Sequence, residues 1–247
     1  EFCRTLAEAG AAVTIADMNG AAAEELAGSL KQRGLRALAV QTDVTAVGSV
    51  AQMIDATIEH FGGVDILVNS AALDPKFDPH THQTQSGAFE DFPLALWRQA
   101  LDVNLTGMFL VSQAAVVPML EQESGVIINI ASMYGVAAPD QRLYQRDGQS
   151  PQFKPVYYTV TKAGTLGLTK YLAAYYAGKN IRVNTLTPGG VYNDHDDEFL
   201  DAYAARSILG RMAEKDEMNG ALLFLASDAS KYMTGANLIV DGGWTTW

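Results

Sequence analysis

The chain has 247 residues, of which 48% are hydrophobic and 18% charged, and it carries a net charge of −11 at pH 7. This length and composition suit a single globular domain with an ample core. The acidic balance, without any run of Lys or Arg, argues against nucleic acid or an anionic membrane as a partner. The single cysteine, Cys3, excludes an internal disulfide. Because we find no signal peptide and no apolar run of about 20 residues, we expect a cytoplasmic protein.

Short apolar segments alternate with amphipathic ones along the chain. In order, the pattern predicts the end of a helix at Gly10, a strand over 12–16, a helix over 21–33, a strand over 37–41, a helix over 47–61, a strand over 64–69, a helix over 94–119, a strand over 125–131, a helix over 156–177, a strand over 181–186, a helix over 214–227 and a strand over 237–240. Continuously apolar strands that alternate with helices indicate βαβ units. The sequence therefore predicts an α/β fold with a parallel sheet covered on both faces.

Two polar stretches, residues 74–92 and 139–155, are longer than ordinary connections between such elements. They are candidate substrate or oligomer loops, although plain surface excursions have the same composition. Residues 193–198, with His195 among three aspartates, read as a solvated acidic loop. His80 and His82 lie two apart without a third ligand nearby, so we expect no metal site.

Polar and small residues follow the predicted strands, at the edge where ligands of open parallel sheets bind. They are Asp17, Asp43, Asn69-Ser70-Ala71, Ser132 and Thr187-Pro188-Gly189-Gly190. Such a set suits a pocket for an extended cofactor.

Tyr158 and Lys162 are four residues apart, so on a helix they share one face with a rise of roughly 6 Å between them. A lysine there can stabilise a tyrosinate, and lowering the phenol pKa from about 10 to the neutral range needs roughly 3–4 kcal/mol. Ser132 could hold a substrate oxygen beside that phenol. Alternatively, the two residues are an ordinary pair on a helix surface.

The chain resembles the short-chain dehydrogenase/reductase family over essentially its whole length. The motifs that carry the resemblance are Asp17 after one strand, Asp43-Val44 after the next, Asn69-Ser-Ala-Ala72, V-N-L-T-G around Asn104, I-N-I-A-S ending at Ser132, Y-x-x-x-K at Tyr158 and Lys162, I-R-V-N-x-L-x-P-G-G at 181–190, and S-D-A-S-K-Y-M-T-G-A-N-L-I-V-D-G-G at 227–243. The resemblance implies one Rossmann-type, doubly wound domain over residues 1–247. Within the family, the W-T-T-W tail and the segment after Ser132 resemble reductases of flagellin-modification and nonulosonic-sugar pathways.

The resemblance also implies roles for the catalytic residues. Tyr158 would be the general acid/base, Lys162 would lower its pKa and bind the nicotinamide ribose, and Ser132 would orient the reacting oxygen. Asn104 would hold a water that relays protons from Lys162; its alternative role is to satisfy backbone groups at a helix kink. Tyr157 would serve packing.

For the cofactor, Asp17 would accept the adenine-ribose hydroxyls and repel a 2′-phosphate, which favours NAD over NADP, unless it is only a surface turn residue. The other positions matched to this site are Asp43 and Val44 at the adenine, Asn69, Ala71 and Ala72 at the ribose, and Pro188, Gly189, Gly190 and Val191 at the nicotinamide. Candidate substrate contacts are Met133, Tyr134, Arg142 and Tyr144, of which Arg142 could meet a phosphate or carboxylate or be a surface residue.

The chain departs from the family pattern in two ways. It has no strand and glycine-rich turn ahead of its first helix, so we expect both to precede Glu1 in the working protein, since their loss would split the sheet. Ser132 and Tyr158 are about twice as far apart as the family pattern has them, and the extra residues fit the 139–155 stretch. We expect that insertion to overhang the substrate mouth.

These features predict an NAD(H)-dependent oxidoreductase that interconverts an alcohol and a ketone on a polar, sugar-like small molecule. The alternatives are a 3-oxoacyl thioester reductase, which would need a basic patch for an acidic carrier, and a non-catalytic dinucleotide-binding or scaffolding protein. The resemblance implies a homotetramer or homodimer, with the helices around 94–119 and 156–177 at one interface. The tail over residues 238–247, with Trp244 and Trp247, would suit another.

Overall fold

A computed structural model of the chain describes residues 1–74, 87–146, 148 and 151–247. Its strands are β1 (Val13–Asp17), β2 (Ala37–Gln41), β3 (Ile66–Asn69), β4 (Gly125–Ile130), β5 (Ile181–Pro188) and β6 (Asn237–Val240). Its α-helices are α1 (Phe2–Glu8), α2 (Gly20–Gln32), α3 (Val47–Phe61), α4 (Leu94–Leu101), α5 (Met108–Glu121), α6 (Val156–Tyr175), α7 (Asp197–Ala204) and α8 (Asn219–Ala226). The predicted alternation of strands and helices is confirmed.

All paired strands are parallel. β1 pairs with β2, and β3, β4, β5 and β6 pair in that order. The register places Asp17 opposite Gln41 and Asn69 opposite Asn129. Because parallel strands end at the same edge, the segments that follow β3, β4 and β5 emerge side by side.

Helices cover both faces of the larger sheet, as a doubly wound fold requires. On one face, Ile127 and Val183 pack with α3 and α5. On the other, Ile128 and Leu186 pack with α8 and with Phe2 of α1. The alternation of neighbouring residues between faces follows from the period of two in a strand, so both faces are buried by a nearly continuous apolar run.

The strands form a two-stranded and a four-stranded sheet rather than one. Leu6 of α1 packs against both the cluster around β1 and the cluster around β3, and Thr57 of α3 donates a hydrogen bond to Thr14 of β1 (3.0 Å). The helices thus join the two sheets into one body. Among the residues that the structure describes, β1 and β3 each pair with one strand only. The additional strand expected ahead of Glu1 stays a prediction.

The predicted helix over 94–119 is interrupted by a π-helical turn, Asp102–Gly107, which separates α4 from α5. At Gly107 a Cβ atom would lie 2.6 Å from Val44 Cγ2, so glycine allows this turn to approach the segment after β2. π-Helical turns are frequent at functional sites, and this one carries Asn104.

The run Leu94–Glu121 is also long and apolar enough to cross a membrane, contrary to the expectation that no such stretch exists. Half of its most apolar window is buried inside the fold, where Ala115 and Met119 are fully covered. We therefore describe it as a core helix.

Two expectations near the carboxyl end are corrected. Residues 193–198 are not merely a solvated loop, because Asp196 caps α7 by accepting the Phe199 amide at 3.0 Å. Trp244 is 6% exposed and stacks on Tyr203 with ring centroids 4.4 Å apart, so it fills its own core and is not available to an interface. Trp247 remains 80% exposed.

Candidate active site

Tyr158 lies in the first turn of α6, which begins after Pro155, and its side chain is 8% exposed. Its side chain lies close enough to Ser132, which follows the end of β4, for that hydroxyl to lower the pKa of the phenol. Ser132 in turn accepts the amide of Tyr134 at 3.2 Å, which holds its oxygen at the edge of the sheet. The predicted meeting of Ser132 and Tyr158 is therefore present, although 25 residues separate them in the chain. Tyr157 faces elsewhere and packs on Phe92, as expected for a packing residue.

Lys162 lies one turn after Tyr158 and is buried, with its ammonium 5.7 Å from the centre of the Tyr158 ring. Its Nζ donates to the carbonyl of Ile130 at 3.0 Å, which ties α6 to the end of β4. The turn Met133–Gly135 packs directly on this part of the helix, since a Cβ at Gly135 would lie 2.6 Å from the Lys162 carbonyl. Glycine at 135 thus sets the spacing between the serine and the lysine.

Burial governs the pKa values of this site. It lowers the pKa of Lys162 to about 8, an effect that the nearby Lys154 reinforces and Asp74 opposes. Burial, and then the charge of Asp74, raise the pKa of Tyr158 above its ordinary value. The sequence predicted the opposite direction for the phenol. In this arrangement the loss of hydration of the tyrosinate outweighs the attraction of a partly desolvated lysine.

Asn104 contacts backbone and helix α6. Its Oδ1 accepts the amide of Leu73 at 2.7 Å, and its Nδ2 donates to the Leu73 carbonyl (3.2 Å) and to Thr161 Oγ1 (3.1 Å). Asn104 thus lies in the π-helical turn and satisfies the backbone amide and carbonyl of Leu73. They fix the segment after β3 against the helix of Tyr158.

Asp17 and Asp43 stand beyond β1 and β2. The exposed carboxylate of Asp17 accepts the Asn19 amide at 2.8 Å through Oδ1. Asp43 accepts the hydroxyl of Thr45 at 2.7 Å and its amide at 2.9 Å, and these bonds lower the pKa of the carboxyl. Val44 packs into the core and against the turn at Gly107.

Asn69 ends β3 and is buried in a polar chain. Its Nδ2 donates to Ser112 and to Asn129, both at 2.9 Å, and Asn129 donates to Thr169 of α6 at 2.9 Å. The direct role of the Asn69 side chain is therefore to brace β3 and β4 against the helices. Ala71 and Ala72, which follow it, are exposed and small enough for a ligand to reach their backbone.

The segment after β5 is closely packed. Gly189 packs against Asp241 and Gly190 packs against Tyr203, so that a Cβ atom at either glycine would lie within 2.7 Å of its neighbour. The Tyr203 hydroxyl also accepts a hydrogen bond from the Gly190 amide at 2.6 Å. Pro188 ends β5, and Val191 bridges to Ala213. All of these residues are partly exposed at the carboxyl edge of the sheet.

The described residues of the insertion, 139–146, 148 and 151–155, include two that contact the site, Tyr144 and Lys154. Tyr144 is buried and donates to the hydroxyl of Tyr134 at 3.1 Å, and Met133 contacts the hydroxyl of Tyr203. Arg142 does not face the site: it is 83% exposed and pairs with Asp140. That pairing, with Arg206 as a further partner, lowers the pKa of Asp140 to about 2.

Sequence reasoning missed two charged residues at the centre of the site. Lys154 Nζ lies 4.0 Å from the centre of the Tyr158 ring and 2.5 Å from a carboxylate oxygen of Asp74, whose charge raises the pKa of Tyr158. Lys154 stands four residues before Tyr158, the same spacing that singled out Lys162. Pro155 caps α6, however, so Lys154 lies outside the helix and the spacing alone does not place it beside Tyr158.

Sequence reasoning also missed Arg146, which is 7% exposed and joins the insertion to α7 through Asp196 (2.9 Å) and Glu198 (3.3 Å). His195 stacks on Phe199 with ring centroids 5.0 Å apart. His80 and His82 lie outside the described residues. Within the described ranges, no three His, Cys, Asp or Glu side chains are grouped as metal ligands.

The residues at the carboxyl edge fit the ribose ends of a dinucleotide. An exposed carboxylate at Asp17 suits ribose hydroxyls, and exposed small residues at 71 and 72 allow close approach. A parallel α/β fold whose serine and tyrosine hydroxyls meet beside a buried lysine at this edge is that of a dehydrogenase or reductase acting on CH–OH groups.

The comparisons with known proteins agree. The chain belongs to the short-chain dehydrogenase/reductase family, and over residues 1–245 it matches the family model described as enoyl-(acyl carrier protein) reductase. It is 36% identical to cis-4-hydroxycyclohexanecarboxylate dehydrogenase of Sinomonas cyclohexanicum, over 98% of this chain and 90% of that protein. It is 35% identical to D-threitol dehydrogenase of Mycolicibacterium smegmatis, over 96% of this chain and 84% of that protein.

Among solved structures, a gluconate 5-dehydrogenase from Burkholderia cenocepacia, in complex with NADP and tartrate, superposes with a TM-score of 0.83 at 33% identity. The match covers 100% of this chain and 90% of that one. The protein is an alcohol–ketone oxidoreductase of this family.

Proposed function

We propose that the protein is an NAD(H)-dependent oxidoreductase that interconverts a secondary alcohol and a ketone on a polar, sugar-like small molecule. The observation that carries the proposal is the buried Lys162 ammonium, which lies 5.7 Å from the centre of the Tyr158 ring and donates to the Ile130 carbonyl just before Ser132. This arrangement supports a site in which a single substrate oxygen meets the hydroxyls of both Ser132 and Tyr158.

The reaction follows from these positions. Ser132 and Tyr158 hold the reacting oxygen, and Tyr158 gives it a proton on reduction or takes its proton on oxidation. A bound nicotinamide supplies or accepts the hydride. Lys162, fixed by the Ile130 carbonyl, holds its ammonium 5.7 Å from the centre of the Tyr158 ring, where its positive charge would stabilise the phenolate formed when Tyr158 gives up its proton. A water held by Asn104 as a proton relay remains part of the proposal; its described contacts are with Leu73 and Thr161.

For the cofactor, we propose that Asp17 selects NAD, because an exposed carboxylate there would repel a 2′-phosphate. Asp43, Val44, Ala71, Ala72, Pro188, Gly189 and Val191 would line the rest of the site. We also propose that residues 1–247 act as one dinucleotide-binding domain. The related gluconate 5-dehydrogenase binds NADP, so both dinucleotides belong in the test.

The substrate is proposed from the site and from the relatives. Polar groups of Ser132, Tyr134, Tyr144 and Lys154 gather beside Tyr158, which suits a substrate with several oxygens. The named relatives act on a hydroxycyclohexanecarboxylate and on threitol, which are polar alcohols. A sugar-like alcohol is consistent with both. The narrower likeness to nonulosonic-sugar reductases stays a prediction.

A thioester reductase is the second candidate, because the family model that matches is described as an enoyl-(acyl carrier protein) reductase. The net charge of −11 disfavours docking of an acidic carrier protein. Turnover of acetoacetyl and crotonyl thioesters, set against polyols and keto-sugars, distinguishes the two candidates.

The test of the proposed function uses purified protein with NAD(H) and, separately, NADP(H), and follows absorbance at 340 nm with polyols and keto-sugars. We expect turnover with NAD(H) first, and a loss of about 10³-fold or more in kcat for Tyr158→Phe, because general acid/base catalysis contributes on that order. Tyr157→Phe, one residue away and facing Phe92, is the matched control. Equal turnover by Tyr158→Phe and the wild-type protein would refute the mechanism.

A further inference from the structure

Two charged residues beside Tyr158, Lys154 and Asp74, have no role in the mechanism above. The side chain of Lys154 is only 12% exposed, and its ammonium reaches one carboxylate oxygen of Asp74 at 2.5 Å. The same carboxylate lies near enough to Tyr158 for its charge to raise the pKa of the phenol. One carboxylate therefore lies beside both the catalytic phenol and a nearly buried ammonium.

Asp74 cannot stay in this position during the proposed reaction. The substrate oxygen has to reach the Tyr158 hydroxyl, and the Asp74 carboxylate stands beside that phenol on Lys154, so Asp74 must leave for the substrate to enter. The Asp74 side chain is 50% exposed, and water can solvate it after such a movement. Lys154 has no such option, because its surroundings bury it.

When Asp74 leaves, two ammonium groups remain close to the Tyr158 ring, that of Lys154 at 4.0 Å and that of Lys162 at 5.7 Å from its centre. A nearly buried cation without a counterion is costly. Lys162 keeps the Ile130 carbonyl as a partner, whereas Asp74 is the counterion of Lys154. A substrate that brings its own carboxylate would replace the charge that Asp74 removes, and a neutral substrate would not.

The insertion holds Lys154 in place before any ligand arrives. Gln141 accepts the Lys154 amide at 2.8 Å and donates to its carbonyl at 3.2 Å. Arg146 anchors the same insertion to α7 through Asp196. The ammonium is therefore presented on a fixed support, which is how specific anion sites are built.

We propose that Lys154 binds a carboxylate of the substrate and that Asp74 occupies this anion position until the substrate displaces it. Because one carboxylate lies beside both Tyr158 and Lys154, the substrate class is the hydroxy acids, and the matching keto acids, whose reacting carbon lies next to the carboxylate or one carbon away. This inference rests on the proposed function and names the substrate class of the same site.

The experiment measures kcat/KM for a panel of short 2- and 3-hydroxy acids, each paired with its own carboxamide, with NAD and with NADP. For the wild-type protein we expect the acid to exceed the amide by about 100-fold, which corresponds to one charged hydrogen bond. Lys154→Gln should bring this ratio close to one, and Lys154→Arg should restore most of it. Lys31→Gln, an exposed lysine at the end of α2, is the matched control and should keep the wild-type ratio.

The Asp74→Asn variant tests whether the Asp74 carboxylate competes with the substrate for Lys154 or serves only as part of a structural ion pair. Removing the competing carboxylate should lower the KM of the acids by about 10-fold, since the substrate no longer has to displace a charged group. A KM that rises in Asp74→Asn, or an acid-to-amide ratio that Lys154→Gln leaves at the wild-type value, would overturn the proposal.

The substrates that are turned over distinguish failure of this inference from failure of the proposed function. Turnover of neutral polyols that depends on Tyr158, without any preference for acids, overturns the carboxylate site alone. Absence of Tyr158-dependent turnover with acids, amides and polyols alike overturns the proposed function and the carboxylate site together.

Discussion

At the scale of single residues, the site combines groups whose charged forms burial disfavours. Lys162 is 6% exposed and Tyr158 8% exposed, and each is placed beside groups that alter its protonation. Burying these groups lowers the stability of the fold. It also serves catalysis, because proton transfer needs groups whose pKa changes when a neighbouring charge arrives or leaves. Displacement of Asp74 is one such change: it removes the negative charge that raises the pKa of Tyr158.

The lowered pKa of Lys162 predicts how stability depends on pH. Its pKa falls from 10.5 in the unfolded chain to about 8 in the folded protein. Between these values the unfolded chain holds a proton that the folded protein has released, so the free energy of unfolding should rise with pH across that window. Below pH 8 both states are protonated, and the folded state bears the full cost of the buried charge.

Urea unfolding of the wild-type protein and Lys162→Met at pH 7, 8, 9 and 10 measures this effect. The stability of the wild-type protein relative to Lys162→Met should increase between about pH 8 and pH 10. Lys170→Met, an exposed lysine on the same helix, should leave a difference that does not change with pH. A wild-type advantage that stays level or declines over the window would contradict the burial of a titrating ammonium.

At the scale of elements, the insertion between Ser132 and Tyr158 is the most specialised part of the molecule. Its described residues include a short 3₁₀ turn, Gln141–Tyr144. Arg146 donates to the carbonyls of Leu143 and Gln145 and pairs with Asp196 at the start of α7. One nearly buried guanidinium thus connects the insertion to the helix that follows the Pro-Gly-Gly segment.

We predict that Arg146→Gln lowers the free energy of unfolding by about 2–3 kcal/mol, because it breaks several charge-assisted hydrogen bonds in a nearly buried position. Hydrogen exchange at the amides of α7 should become faster in the same variant. The matched control is Arg142→Gln in the same insertion, whose side chain is 83% exposed and whose loss should change the free energy of unfolding much less. Equal effects of the two substitutions would show that the burial of Arg146 carries no extra stability.

The sequence predicted the elements well where local patterns decide them. β2 and α3 have the predicted bounds, because an apolar run and an amphipathic period each leave little choice. α7 was missed because its aspartates look solvated, whereas Asp196 caps the helix and binds Arg146 across the fold. The same reason hid Lys154: its partner Asp74 is 80 residues away, and only the folded insertion brings the two together.

At the scale of the whole molecule, helices α1 and α3 each contact both sheets and join them into one folded body. Leu6 and Thr57 make contacts that join the parts of the chain around β1 to the rest. The candidate active site lies at the carboxyl edge of the sheets. The long helices α5 and α6 both pack on the same face of the four-stranded sheet. Each of these two helices also has an outer side that the described part of the chain leaves exposed.

The exposed outer side of α5 and α6 indicates that the protein assembles with further copies of itself. Val117 of α5 and Tyr171 of α6 are 54% and 62% exposed, and a Cβ at Gly167 of α6 would meet open space. Large apolar side chains beside a small residue suit close packing against helices of a second copy, and covering each large side chain stabilises an interface by about 1.5–3 kcal/mol. We predict a homodimer or homotetramer in solution that uses this side of α5 and α6.

Light scattering over a range of protein concentrations tests this prediction with Val117→Glu, which would place an unpaired charge in the interface. We expect the measured mass to fall toward that of a single 26.5 kDa chain as the protein is diluted, at concentrations where the wild-type protein stays assembled. Val47→Glu, 67% exposed at the start of α3, introduces the same charge away from this surface and should keep the wild-type mass. A monomeric wild-type protein, or a Val117→Glu protein with the wild-type mass at every concentration, would contradict an interface on α5 and α6.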